Sequence, residues 1–528
     1  MSSIVSQLAS HSRLVQFYSS AKADNGWILF LSILIVLLWI KYSQRKKNSP
    51  PGPWLKLPFL GHIESMLGGS DLVKKSANLR RKYGDIFSYN IIGMNTVHLC
   101  SFDLINSALK KREVASRIPF HKFSNISKVM SDIYIHGLHG IVVTEGKEWQ
   151  EQRRFCFKTL KNFGFGKSSM ESIMHDEIIN FSEQLRQEAC NGPIDLANRF
   201  NVMVINVLWR IIGGKRFDYK DKKFAELVGH LNEGFSAIAP TPRLAFLFAF
   251  PFLKDWAPKL TGFENIKRGY HGVYDFLKEE IKSHQDNLDL DNPKDFIDAY
   301  LIEMKRKKDN GDISSSFYED MGIECLFCVL HDLFLAGSET SSTFLLWSII
   351  FLMRDPISQA KVQKELDALT DQKQLPGIVD EAQTPFTLAF IDEVHRMASH
   401  VPLAVQHWTH EDVEVGGVVI PANSIIIPNI SEVHHDPKTW VDPHVFRPER
   451  FLNSEGHFVK SEKVIPYSIG VRRCPGESLA KSEIYLFLTG LLKNFSFHIP
   501  KGVEGPTLDY NFGFTLLPKS FKVDIVPR

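Results

Sequence analysis

The chain has 528 residues, 44 % hydrophobic and 23 % charged, an ordinary globular composition with ample material for a core. Lys and Arg number 62 against 60 Asp and Glu, and a net charge of +2 excludes the basic excess that nucleic-acid binding needs. Six cysteines (Cys100, Cys156, Cys190, Cys325, Cys328 and Cys474) are too sparse for a disulfide framework and fit a reducing compartment.

The first predicted element is Trp27–Ile40, WILFLSILIVLLWI, with no charge and no helix breaker. At helical rise it spans roughly 21 Å; Gly26 and Tyr42 extend it, and Lys41 can snorkel outwards. A cleaved signal peptide would have an apolar core of similar length, but no small-residue cleavage site follows. The reading is an uncleaved, single-pass anchor. Lys41, Arg45, Lys46 and Lys47 follow it and only Arg13 and Lys22 precede it, so the positive-inside rule keeps the downstream part in the cytosol. Residues 1–26 are an N-terminal extension, 27–42 the anchor and 43–53 a basic, proline-rich hinge. Pro50–Pro53, PPGP, is stiff and extended and cannot continue a helix.

From residue 54 to 528 no linker, repeat or low-complexity tract interrupts the chain, which predicts one large domain. Ile86–Cys100 reads as a hairpin. WQEQR places Trp149 and Arg153 at i, i+4 on one helix face. Met321–Gly337 reads as a buried helix, with Cys325 and Cys328 as core thiols one turn apart; their C-x-x-C has no second pair to complete a zinc site. Asp355–Leu369 opens with Asp-Pro and has helical period. EVHR sets Glu393 and Arg396 at i, i+3. Glu411–Ile430 reads as short strands with glycine turns, and Ser478–Phe495 as a buried helix. The fold class is therefore mainly α with a small β portion.

The most constrained stretch is YSIGVRRCPGESLA, Tyr467–Ala480. Gly470 and Gly476 allow tight turns and close approach to a flat ligand. Cys474 precedes a helix expected to start at Pro475, so its sulfur faces unpaired helix N–H groups; with Arg472 and Arg473 nearby this favours a thiolate. Such a thiolate is a nucleophile or a metal ligand. The local sequence offers no histidine base, so an axial iron ligand is the better reading, one that pushes electron density onto haem iron and favours O–O cleavage.

This stretch closely resembles the cysteine signature of the cytochrome P-450 superfamily of haem-thiolate monooxygenases, F-x-x-G-x-R-x-C-x-G, with Tyr467 for Phe, then Gly470, Arg472, Cys474 and Gly476. Phe334–Ser342, FLAGSETSS, resembles the oxygen-activating part of the family's long central helix. The resemblance runs from the proline hinge to NFGF near the C-terminus, and anchor, hinge and AGSETS look like a microsomal animal enzyme of the steroid- and xenobiotic-hydroxylase branch.

What the resemblance implies is specific. Cys474 is the axial ligand of haem b, in a cytochrome P-450 fold. Ala336 and Gly337 leave room above the iron, and Glu339 and Thr340 supply an acid and a hydroxyl for proton delivery to dioxygen. Arg472, Trp149, Arg153 and His407 meet the haem propionates. Glu393, Arg396 and Arg450 of FRPERF form a buried structural network that holds the thiolate loop. His410, His434 and His435 are expected at the surface. Phe120, Phe123, Phe334, Val401, Leu403, Phe512 and Phe514 are expected to line a pocket for a lipophilic substrate: a steroid, terpenoid, fatty acid or foreign compound. Electrons come from NADPH through a membrane-bound cytochrome P-450 reductase, with cytochrome b5 as a further donor, docking near Arg473, Lys481, Arg154 and Lys158. The location implied is the endoplasmic reticulum membrane. Two rival readings are a reductase-independent haem-thiolate isomerase or dehydratase, and a non-catalytic haem or lipid carrier.

Overall fold

A computed structural model describes residue 34, residues 48–54, 56, 61–62, 71–165, 169–237, 242–369 and 374–528. The expected anchor and N-terminal extension lie outside the described residues, apart from Leu34. Of the hinge, residues 48–53 are described: they have no regular secondary structure, and the Pro51 carbonyl accepts a hydrogen bond from Ser88 N at 2.7 Å, tying them to the first strand.

The fold is helical, with small sheets at its edges. Its axis is a 36-residue helix, Glu319–Arg354. That helix is apolar on nearly all sides, as a core helix must be, and Cys325, Phe334, Ser342 and Trp347 are all buried on it. By length and composition it could cross a membrane, yet more than half of its most apolar window is packed inside the protein. Asp355 ends it and Pro356 opens the next helix, Pro356–Leu369, with Ser358 Oγ donating to Asp355 at 2.6 Å. Around the axis pack Arg199–Ile212, Phe263–Asp286, Pro385–Ala398 and Glu477–Asn494.

The expected hairpin forms as Ile86–Ile91 against Met94–Leu99, with Ile86 opposite Leu99. Its two-residue turn puts Ile92 at φ 49° and Gly93 at φ 79°, the positive pair that a tight hairpin demands. Met94–Leu99 then pairs in parallel with Ser424–Pro428, which pairs antiparallel with His407–Thr409. This four-stranded sheet joins the early hairpin to strands far along the chain. The GG turn expected within Glu411–Ile430 links Val413–Val415 to Val418–Ile420.

Candidate active site

The turn around Cys474 is closed by its own backbone: Cys474 N donates to the Tyr467 carbonyl at 2.9 Å. Gly470 sits at φ 80°, and a Cβ there would meet the Leu109 carbonyl oxygen at 2.1 Å. Only glycine allows the turn to lie so close to the helix Phe102–Leu109. The helix after the cysteine begins at Glu477 with Gly476 as its cap, not at Pro475 as expected. Cys474 therefore accepts from the Gly476 N–H, but burial is the larger influence and pushes the thiol up. The two arginines do not reverse this. Arg472 turns away to the carbonyls of Ala115 and Thr144, both at 2.7 Å, and Arg473 is exposed. The expectation that the turn alone favours the thiolate is thus corrected.

Cys474 lines a cavity of about 580 Å³. Ala336, Gly337 and Thr340 of the central helix line it, as do Tyr467, Pro475 and Gly476. The Thr340 hydroxyl donates to the Ala336 carbonyl at 2.8 Å. A Cβ at Gly337 would meet Leu208 Cδ2 at 2.4 Å, so that glycine serves the close crossing with Arg199–Ile212. Glu339 is absent from the lining. Its Oε1 accepts from Thr515 Oγ1 at 2.6 Å, its Oε2 is buried without a partner among the described residues, and burial raises its carboxyl to about 7. Two acids that sequence reasoning missed reach the cavity instead, Asp332 and Glu483. Glu483 lines it together with Ser341, whose hydroxyl donates to Glu483 at 2.9 Å, and burial raises this carboxyl to about 8.

One wall is strongly cationic. Arg117, Arg153 and Arg472 all line the cavity, and among the described residues none of the three is in an ion pair. Burial and mutual repulsion lower both Arg117 and Arg472 to about 9. Arg117 is anchored by the carbonyls of Val142 and Gln406, and Arg153 by that of Arg473 at 2.7 Å. Arg472 Nη1 and Trp149 Nε1 are buried donors with no acceptor among the described residues. His407, buried beside them, engages the Val114 carbonyl through Nδ1 at 2.7 Å, which leaves Nε2 for the cavity. Trp149 is not itself in the cavity lining but lies under Arg472, and the three guanidiniums make a receptor for a dianion. Arg117 too escaped sequence reasoning, although it sits inside SRIPFHKF. A lone arginine in an apolar, aromatic loop was the signal.

The expected pocket residues divide. Phe120, Val401 and Phe514 line the cavity. Phe334 instead packs edge-on to Trp209 at 5.1 Å in the core, and Phe123 edge-on to Trp408 at 5.7 Å. Leu403 is buried with Trp408 and Ile425, and Phe512 ends the small strand Tyr510–Phe512. The remaining lining is largely aliphatic and aromatic, including Ile126, Met130, Ile133, Leu244, Phe248 and Leu333.

Glu393 and Arg396 are fully buried and bidentate, at 2.8 and 2.9 Å. Arg450 meets the same carboxylate at 3.0 Å, and Arg396 also donates to the carbonyls of His434 and Pro443. The network reaches the thiolate loop through His434. This histidine was expected at the surface but is wholly buried: Nδ1 bonds to Ser399 Oγ at 2.9 Å and Nε2 accepts from Ile465 N at 3.0 Å. Burial holds it neutral. His435 is also mostly enclosed, lowered to about 4 by burial, whereas His410 is half-exposed beside Glu145. Arg154, Lys158, Arg473 and Lys481 are all exposed.

A family model described as Cytochrome P450 matches residues 50–525. Among curated proteins the chain is 35 % identical to cytochrome P450 2L1 of Panulirus argus, over 92 % of this chain and 97 % of that one. It is 33 % identical to cytochrome P450 2U1 of Homo sapiens, covering 96 % of this chain and 94 % of the relative. It is 32 % identical to a farnesoate epoxidase of Bombyx mori, covering 95 % and 99 %.

Proposed function

The chain belongs to the cytochrome P450 family of haem- and dioxygen-using monooxygenases, and on that premise we propose that it oxygenates a lipophilic substrate with NADPH electrons delivered by a reductase. The observation that carries the reading is Cys474 in the lining of a largely apolar cavity that also holds three guanidiniums with no carboxylate partner among the described residues. The residues fit a haem: Cys474 would ligate its iron, and Arg117, Arg153, Arg472 and Trp149 would take its two propionates. Bound there, the haem supplies dioxygen activation.

The chain's own residues do the rest. Thr340 holds a hydroxyl at the cavity wall from which a proton can be passed. Glu339 braces the helix from behind through Thr515, and the Ser341–Glu483 pair keeps a second acid and alcohol at the cavity. The apolar lining excludes water and selects a lipophilic molecule. The farnesoate epoxidase relative makes a terpenoid one candidate beside steroids, fatty acids and foreign compounds.

The apolar segment Trp27–Ile40 supports a membrane anchor, with the endoplasmic reticulum as its location. So does an exposed apolar face on the short helices between 242 and 261, where Phe252, Trp256 and Leu260 are 55 %, 86 % and 75 % exposed. Leu244 and Phe248, from the same segment, line the cavity, which supports substrate entry from the lipid. The exposed Arg154, Lys158, Arg473 and Lys481 near the cysteine support reductase or cytochrome b5 docking there.

The test is the spectrum of the reduced protein under carbon monoxide. Thiolate ligation shifts the main band strongly to the red, and Cys474→Ser abolishes that shift. NADPH consumption with reductase and a lipophilic panel then separates a monooxygenase from a carrier or an isomerase. An unshifted band in the wild-type protein overturns the reading.

A further inference from the structure

We propose that His139, Glu148 and Cys325 form a zinc site on the flank of the molecule, remote in sequence from the Cys474 turn. The three residues come from separate segments. His139 lies in the loop between Ile133 and Gly146, Glu148 in the first turn of Gly146–Asn162, and Cys325 in the second turn of the central helix. Their ligand atoms lie within 4.8 Å of one another. His139 Nδ1 is 3.1 Å from Glu148 Oε1, and Cys325 Sγ is 3.8 Å from the same oxygen. A tetrahedral zinc ion with bonds of about 2.0–2.3 Å has ligand edges of about 3.3–3.7 Å, so the ion needs only small adjustments.

The donor set is chemically selective. One imidazole, one thiolate and one carboxylate suit zinc, and the sulfur disfavours calcium or magnesium. The imidazole has the outer partner that zinc histidines require: Glu324 Oε2 lies 3.7 Å from Nε2, the ring nitrogen left over. Space for the ring is provided by Gly137, where a Cβ would meet His139 Nε2 at 2.8 Å. The side chains of His139 and Glu148 are 20 % and 23 % exposed while Cys325 is buried, so the ion has a route from solvent and room for a water as fourth ligand.

The C-x-x-C motif therefore contributes one ligand, not two. Cys328 points to the His136 and Gly137 carbonyls, at 3.8 and 3.5 Å, and lies outside the donor set. In the present arrangement the Cys325 thiol bonds to Glu148; on binding, zinc replaces the thiol proton, which passes to solvent. The ion would tie the 134–145 loop to two helices.

The experiment uses the full-length, haem-loaded protein, dialysed against a chelator and titrated with zinc ion. Mass spectrometry reads the zinc-to-iron ratio, and zinc-edge X-ray absorption reads the ligands. The expected result is one zinc per haem with one sulfur at about 2.3 Å. Cys325→Ser and His139→Ala weaken binding by on the order of tenfold or more, Glu324→Gln by about tenfold, and Cys328→Ser leaves it unchanged. The carbon monoxide band confirms that each variant is folded. If Cys325→Ser does not load haem, the wild-type absorption spectrum decides alone. A zinc shell without sulfur, or equal binding by a folded Cys325→Ser variant, overturns the site.

Discussion

The guanidinium of Arg472 lies over the indole of Trp149, 3.7 Å from the ring centroid, and each residue keeps one buried N–H without an acceptor among the described residues. Stacking fixes the two side chains against each other, so the free donors are held in place before anything binds. Two buried donors left open carry a desolvation cost that a bound carboxylate removes.

Arg472→Ala should therefore weaken haem retention, not merely activity. A charge-assisted hydrogen bond contributes about 1.5–3 kcal/mol, so haem transfer to an acceptor protein should be at least about tenfold faster. Trp149→Phe, which keeps the ring and removes the N–H, should show a smaller loss. Unchanged transfer rates for both would detach these donors from the propionates.

Thr340→Ala should uncouple electron flow from oxygenation. The substitution removes a hydroxyl from the cavity wall and one bond to the Ala336 carbonyl within the helix, so the fold should survive. Product per NADPH should fall by about tenfold or more, with hydrogen peroxide released in its place, and Thr340→Ser should restore most coupling. Coupling that is indifferent to both substitutions would move the proton path to the Ser341–Glu483 pair.

Glu393→Ala should yield protein without the red-shifted carbon monoxide band. It strands Arg396, fully buried, and Arg450 without their carboxylate and frees the Arg447 N–H that bonds to it at 2.8 Å. Removing one partner from such a pair costs about 3–5 kcal/mol, a large part of any domain's stability. Soluble, haem-loaded Glu393→Ala at wild-type yield would show the network to be dispensable.

Asp332 predicts a pH dependence of stability. It lies mostly enclosed at the cavity wall and accepts from Ile141 N and Val142 N at 2.7 and 3.0 Å, yet desolvation wins and raises it from 3.8 to about 7. A folded value above the unfolded one means a contribution present below about pH 4 and lost as pH rises to about 7. Asp332→Asn should remove that loss, so its denaturant midpoint should fall less than the wild type's between pH 5 and pH 8. Parallel pH profiles for the two proteins would show Asp332 to be ionised normally.

The local chemistry was legible in the chain. Gly470 and Cys474 announce a tight turn carrying a thiol, because the backbone angle and the close approach to Leu109 admit nothing larger. Glu393 and Arg396 meet because i, i+3 on a helix brings them together whatever surrounds it. The hairpin Ile86–Cys100 and the Asp-Pro helix start are likewise short-range, set by turn and cap chemistry within a few residues.

What sequence could not decide was which side of an element faces what. Phe334 and Phe120 are equally apolar, but the central helix turns the first into Trp209 and a distant loop brings the second to the cavity. His434 looked like a surface residue until Ser399 and Ile465 enclosed it, and Glu339 looked like the cavity's acid until Thr515 drew it away. Arg117, Arg153 and Arg472 converge from three segments, and so do His139, Glu148 and Cys325. The residues alone determined a cysteine turn, an apolar helix and an i, i+3 ion pair, because those depend on neighbours in the chain. The charge of the cavity wall and the identity of its acids were decided by packing, because burial and long-range contact set them and neither is written at any single position.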